Sequence, residues 1–320
     1  MDTYTYVKIY SRDSNKANSA LKKVKKIYKE YHELSDRYNS YDGIYNIYYI
    51  KNNNSNEEYI KLDKRLYDLI KYGLDYKDKT NGYIDIGSGN LIDVWKNYID
   101  KKDGIPTKKE LENAKNNYVD IILKNGKIKN NHPNIDLGCI AKGYTTEIAG
   151  DYLKSIGINK FLINSGGNVL VGDNVKKKNY TIGIEDPDVK YDIFDIVKCN
   201  NMSVVTSGGY ERFYEYKGTK YSHIINPKTL YPSNSMKSIT IITKSSKEAD
   251  IMSTYLFMLD IKDALDYVNK NEDLEAIIYT NNNEIKYSKG AKKYEYKKIQ
   301  KWYYFIYYYN YNLFNNDFNS

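Results

Sequence analysis

A chain of 320 residues can bury one large core or two smaller ones. Its 49 basic and 41 acidic side chains leave a net charge of +8, but both signs are scattered, which argues against a nucleic-acid module. Two cysteines without metal-ligand spacing exclude a disulfide framework and a zinc site, and no apolar run is long enough to span a bilayer.

In chain order, residues 3–10 alternate like a strand. Ala17, Leu21, Val24, Ile27, Tyr31 and Leu34 fall at helical spacing and predict a helix over 14–34, with Ser14 as its cap. "SDRYNSYDG" is a turn-rich loop, and a second helix is predicted over roughly 57–78, broken at Asn81-Gly82. "TKKE" at 107–110 is a capping box, and "VDIILKNGKIKN" is a hairpin turning at Asn125-Gly126. A helix carrying Tyr144, Ile148, Tyr152 and Ile156 on one face stops at Gly157.

"KFLINSGGNVLVGD" then reads as strand, glycine break, strand, and "SVVTSGGYERFYEYKGTKYSHIINP" repeats the plan with a hairpin at Lys217-Gly218. "KSITIITKSS" is a strand feeding the helix "KEADIMSTYLFML", and "EAIIYTNNNEIKYS" is a last hairpin. Hairpins outnumber βαβ units. The expected fold is therefore α+β, one domain over 1–290 with a mixed, largely antiparallel sheet packed by helices. Residues 291–320 read as a low-complexity aromatic and Asn-rich tail, expected to be disordered.

Four segments gather small and polar residues in a chain with only 19 glycines: "DLGCIAKG" (136–143), "NSGGN" (164–168), "TSGGYER" (206–212) and "SHIINPKT" (222–229). Glycines before a helix start can present N–H groups to an anion, so together they point to a ligand with phosphates. The first matches neither the dinucleotide fingerprint nor the P-loop. Asp136 and Lys142 can each bind a polar ligand, or Asp136 can simply cap the following helix.

Asp250 and Thr254, four apart on one helix face, offer the hard oxygens that Mg²⁺ prefers, or make a cap or local hydrogen bond. Of three histidines, His223 is the general-base candidate, because it lies beside the glycine-bearing segments. No acyl-transfer arrangement is present.

As a set these motifs resemble the ApbE family, the FAD:protein FMN transferases, from residue 1 to about 290. The carrying stretches, in order, are "MDTY", "TNGYIDIGSGNLIDVW" (80–95), "DLGCIAKGY" (136–144), "INSGGN" (163–168) and "IGIEDP" (182–187). "VVTSGGYERF" (204–213), "YSHIINPKTLYP" (221–232) and "EADIMST" (248–254) complete the set.

The resemblance implies Mg²⁺-dependent transfer of FMN from FAD to a Ser or Thr hydroxyl of a target flavoprotein, with AMP released. The alternatives are hydrolysis of FAD to FMN and AMP, and flavin binding without catalysis. It implies a metal site of Asp250, Thr254 and the backbone carbonyl of Cys139, with His223 as base. Met1, Tyr83, Ile84, Asp85, Asp136, Lys142, Gly166 and Gly167 are implied flavin-nucleotide contacts, and Tyr38 a flavin-stacking one.

The implied partner is an FMN-binding acceptor, such as a subunit of an ion-pumping redox complex. Family members commonly carry an export signal, often with a lipid-anchoring Cys. None is present in this sequence, so the compartment stays open and a membrane is expected only through a missing upstream segment.

Overall fold

The structure, a computed structural model, describes residues 3–210 and 212–295. The alternating opening forms β1 (Thr5–Ile9), and α1 (Ser14–Ser35) follows, burying Ala20, Val24, Ile27, Tyr31 and Leu34. Its cap is Asp13, whose carboxylate accepts from Lys16 N at 2.9 Å, so Ser14 is the first helical residue.

After the short α2 (Ile47–Asn52), the stretch expected as one helix from 57 divides. Residues Tyr59–Lys61 form β2, and only beyond Asp63, which caps through Arg65 N, does α3 (Lys64–Lys79) begin. Tertiary pairing decides this, because β2 is hydrogen-bonded to a strand some seventy residues later.

The helices α4 (Gly89–Lys101) and α5 (Lys108–Asn116) follow, the latter opened by the expected Thr107/Glu110 capping box. The hairpin of β3 (Leu123–Lys124) and β4 (Lys127–Lys129) turns at Asn125-Gly126, where φ is 50° and 76°. With β2 it makes a small sheet of order β2-β4-β3.

The main body starts with α6 (Ala141–Ser155), β5 (Phe161–Ser165) and β6 (Asn168–Val171). Next come the hairpin β7 (Tyr180–Glu185) and β8 (Ile193–Cys199), then β9 (Met202–Gly208) and the hairpin β10 (Phe213–Tyr216) and β11 (Thr219–Ser222). The strand β12 (Ser238–Thr243), α7 (Ser246–Phe257), α8 (Ile261–Asn269), β13 (Glu275–Tyr279) and β14 (Ile285–Tyr287) complete it.

Seven strands form one sheet in the order β1-β5-β6-β9-β12-β13-β14, with every neighbouring pair antiparallel. Both faces are covered. Leu170, Val205, Ile241 and Ile278 point into the core shared with α1, α3, α6 and α7. The residues next to each in sequence, Val169 and Val171, Val204, Ile242 and Ile277, point the other way, against Ile182, Ile184 and Val197 of the β7–β8 hairpin.

The hairpin is also held from the C-terminal side. Lys198 N donates to Tyr294 O at 2.7 Å, Val197 bridges Glu295, and Ala291 is fully buried. The carboxylate of Glu275 accepts from Ser288 Oγ, from Gly290 N at 3.1 Å and from Lys293 Nζ at 3.1 Å. The packed body therefore runs past the boundary expected at 290, to residue 295, and the rest of the expected tail, 296–320, lies outside the described residues.

Phe161 lies fully buried where α6 packs on β5, beside Gly150 and Gly172; an added Cβ on Gly172 would press on its ring at 2.9 Å, and one on Gly150 would collide with Leu170. Replacing Phe161→Ala should leave a cavity and cost about 3–5 kcal/mol, read as a fall in the denaturant midpoint with an unchanged m-value.

Candidate active site

The site is built on one close crossing. At Gly143, in the first turn of α6, an added Cβ would stand 2.4 Å from both Asp250 Cβ and the Ser246 carbonyl of α7. Only glycine lets the two helices approach this far. The Gly143 N–H donates to Asp250 Oδ2 at 2.7 Å instead of closing onto the carbonyl of Cys139, four residues earlier. Among the described residues no amide donates to that carbonyl.

Asp250 is 4% exposed, and burial raises its carboxyl pKa, with Lys142 and the Gly143 amide pulling the other way. Thr254, one turn on, donates to the Asp250 carbonyl at 3.3 Å. Asn168, fully buried, accepts from Ser246 Oγ at 2.7 Å, and its side-chain amide beside Asp250 favours the charged carboxylate.

The crossing opens onto a cleft of about 1910 Å³. This exceeds the roughly 300–1,000 Å³ of ordinary small-ligand pockets, leaving room for an extended ligand and a second group. Tyr38, Tyr83, Ile84, Asp85, Asp136, Cys139, Lys142, Gly166, Gly167, His223, Asp250 and Thr254 all line it. Met1 lies outside the described residues.

Gly166 and Gly167 form the two-residue turn from β5 to β6 with φ of 52° and 83°, which glycine adopts freely. The two glycines bring bare backbone to the cleft wall, and an added Cβ on Gly166 would collide with the Thr3 side chain. Tyr83 stands at the rim, its ring 5.7 Å edge-on from that of Tyr255. Ile84 is buried.

The cleft is also lined by Asp36, Asp100, Glu185, Asp186 and Asp188, but the three carboxylates at the motif positions each have a cation. Asp85 pairs with Lys77 at 2.9 Å and also accepts from Gly87 N and Tyr118 Oη. Asp136 pairs with Arg37 at 2.7 Å and accepts from Gly138 N at 2.8 Å. Asp136 thus caps its own tight turn, whereas α6 starts from Ile140 without a side-chain cap. Asp250 has only Lys142, at 3.8 Å, the loosest pair of the three. Arg37 and Lys77 carry no motif and lie 99 and 8 residues from their partners, so only the fold reveals them.

The Cys139 thiol is pushed far up in pKa by burial, with Asp136 and Asp250 adding to the effect. It is therefore a poor nucleophile. Among the described residues no three His, Cys, Asp or Glu side chains converge on a metal position. A carboxylate, a hydroxyl and a freed carbonyl instead offer hard oxygens of the kind Mg²⁺ takes.

His223 is solvent-accessible within the cleft, where the surrounding walls still displace enough water to lower its pKa, reinforced by Arg212 and Lys142. Its Nδ1 lies 3.1 Å from the Arg212 carbonyl, which can only accept, so the proton of the neutral ring sits on Nδ1. Nε2 is left as the basic atom. Of the other histidines, His32 also borders the cleft, 3.4 Å from Tyr41 Oη, and His132 lies outside it, 3.1 Å from the Lys51 carbonyl.

An antiparallel α+β body with carboxylates, a freed carbonyl and a neutral histidine around one large cleft defines a ligand-binding protein equipped for acid–base chemistry. The ApbE family model matches residues 1–278, and the chain belongs to that family. Over 154 residues it is 38% identical to the FAD:protein FMN transferase of Klebsiella pneumoniae, covering 47% of each chain. Over 225 residues it is 31% identical to that of Buchnera aphidicola subsp. Baizongia pistaciae, covering 67% of this chain and 66% of the relative. These matched stretches span about half to two thirds of the relatives' length.

The crystal structure of the ApbE protein from Thermotoga maritima superposes with a TM-score of 0.80 at 26% identity, over 92% of this chain and all of that one. The flavin transferase ApbE from Vibrio cholerae shares the fold, with a TM-score of 0.76 at 21% identity over 92% of this chain and 96% of that one. Among the described residues no helix is long and apolar enough to cross a membrane.

If the helix crossing depends on the missing Cβ, Gly143→Ala should lower stability by about 1–3 kcal/mol. Thermal unfolding should register this as a clear drop in Tm.

Proposed function

We propose that this protein transfers FMN from FAD to a Ser or Thr hydroxyl of a target flavoprotein, releasing AMP, and depends on Mg²⁺. The observation that carries the reading is the helix crossing on the cleft wall: Asp250 accepts from the Gly143 amide and lies 3.8 Å from Lys142, Thr254 follows one turn on, and the Cys139 carbonyl is left free. Family membership supports the flavin substrate.

In this reading Asp250, Thr254 and the Cys139 carbonyl hold the ion. A hard divalent cation there supplies charge neutralisation for the pyrophosphate. Lys142 adds a fixed positive charge on the same side, and the bare backbone at Gly166 and Gly167 lets the phosphates come close. Asp85 and Asp136, with Tyr83 and Tyr38, bind the nucleotide and its ring system.

His223 Nε2 takes the proton from the acceptor hydroxyl as its oxygen bonds to the FMN phosphorus. The bond from that phosphorus to the AMP oxygen breaks, and AMP leaves with the electron pair. Positioning and electrostatics dominate, as in other phosphoryl-type transfers. The acceptor is an FMN-binding protein, such as a subunit of an ion-pumping redox complex. Because His223 stays solvent-accessible, water is a competing nucleophile, and hydrolysis of FAD to FMN and AMP is the second reading.

Intact mass spectrometry of a bacterial FMN-binding acceptor domain, incubated with the protein, FAD and Mg²⁺, tests this. A gain of one FMN, prevented by EDTA, is expected. FMN and AMP without acceptor labelling would favour the hydrolase, and bound FAD with neither product would overturn catalysis.

Asp250→Asn retains an acceptor for the Gly143 amide but removes the charge, and should abolish turnover while the protein stays folded. His223→Gln should slow it by roughly 100-fold or more. Because the His223 pKa is lowered, the neutral base persists into more acid solution. The acid limb of the kcat/KM profile should therefore lie below the ordinary imidazole value of 6.5, and should disappear in His223→Gln.

A further inference from the structure

Arg37 makes four hydrogen bonds at the cleft wall, yet it belongs to none of the motifs. It sits in the loop after α1, and the loop fixes its direction. The Asp36 carboxylate accepts from Tyr38 N at 2.7 Å, Asn39 N at 3.1 Å and Tyr41 Oη at 2.8 Å. Asn46 Nδ2 ties the far side of the loop through Asn39 O at 2.8 Å and α1 through Glu33 O at 3.1 Å.

The Arg37 side chain, 7% exposed, turns inward. Nη1 donates to Asp136 Oδ2 at 2.7 Å. Nη2 donates to Asp93 Oδ1 at 2.8 Å, Asn134 Oδ1 at 2.7 Å and the Gly89 carbonyl at 3.3 Å. Its guanidinium carbon lies 5.3 Å from the centre of the Tyr38 ring. One planar group therefore sets both the Asp136 carboxylate and the aromatic rim beside it, a geometry that an ammonium cannot reproduce.

We propose that Arg37 is a positioning residue for the flavin nucleotide: it orients and neutralises Asp136, and its effect on FAD runs through that carboxylate. The inference rests on the flavin reading given above. Two consequences separate it from a purely structural clamp. Substitution should weaken FAD binding with little change in the rate at saturation, because neither His223 nor Asp250 is touched. The loss should also run through Asp136, so it should not add to the loss caused by altering Asp136 itself.

The test measures FAD affinity by flavin fluorescence, together with KM, kcat and Tm, for the full chain and for Arg37→Lys, Arg37→Met, Asp136→Asn and Arg37→Lys/Asp136→Asn. Arg37→Met strands Asp136, whereas Asp93 keeps Lys51 at 3.2 Å. Arg37→Lys, which keeps the charge but loses the fork, serves should that variant fail to fold. Expected is a rise of about tenfold in Kd and KM for Arg37→Lys with kcat within about threefold. The double variant should bind no worse than about twofold below the weaker single one.

Unchanged FAD affinity with a lowered Tm would make Arg37 a structural clamp and overturn the proposal. Multiplying losses in the double variant would also overturn it, by putting Arg37 in direct contact with the ligand. If the unsubstituted protein binds no FAD, the flavin reading falls and this proposal falls with it.

Discussion

The approach of α6 to α7 at Gly143 is the constraint on which the rest of the site hangs. A backbone amide that an ordinary helix would spend on the carbonyl four residues back is given to a buried carboxylate on another helix. The exchange does two things at once. It holds Asp250 ionisable in a place where burial alone opposes the charge, and it releases the Cys139 carbonyl. A substituent on residue 143 would push the helices apart and undo both. Sheet, hairpins and helices serve to hold this contact at the end of a cleft.

Charge is graded across that cleft. Asp85 and Asp136 are closely matched by Lys77 and Arg37, at 2.9 and 2.7 Å, and are held by further donors. Asp250 keeps only a distant lysine, at 3.8 Å, and a single amide. Two carboxylates are thus committed to fixed geometry, and the third retains unspent charge. A polyanionic ligand would be repelled by bare acids at these three positions. It meets two that are already neutralised, and one whose charge a cation can use.

Much of this was legible from sequence, for a physical reason. Close backbone approach demands glycine, a metal-suited helix face demands two oxygens four apart, and helices and hairpins announce themselves through local periodicity and turn chemistry. Hence α1, α6, α7, the capping box at Thr107 and the turns at Asn125-Gly126 and Lys217-Gly218 were readable. The helix predicted from 57 failed at β2, where pairing with a distant strand outweighed local pattern. Arg37 was unreadable, because a buried arginine and a solvated one look alike until the chain brings Asp93, Asn134 and Asp136 around it. Lys77 was hidden likewise.

The family match stops at residue 278, but the packing does not. Lys198 and Val197 of the hairpin that walls one side of the cleft are paired with Tyr294 and Glu295, and Ala291 fills the gap beneath. Glu275, Ser288, Gly290 and Lys293 lock that segment to the main sheet. A chain shortened to the family-matched part would strip the back from that cleft wall. Residues 291–295 are a buttress for the cleft, and any trimmed version of the protein has to be cut beyond Glu295.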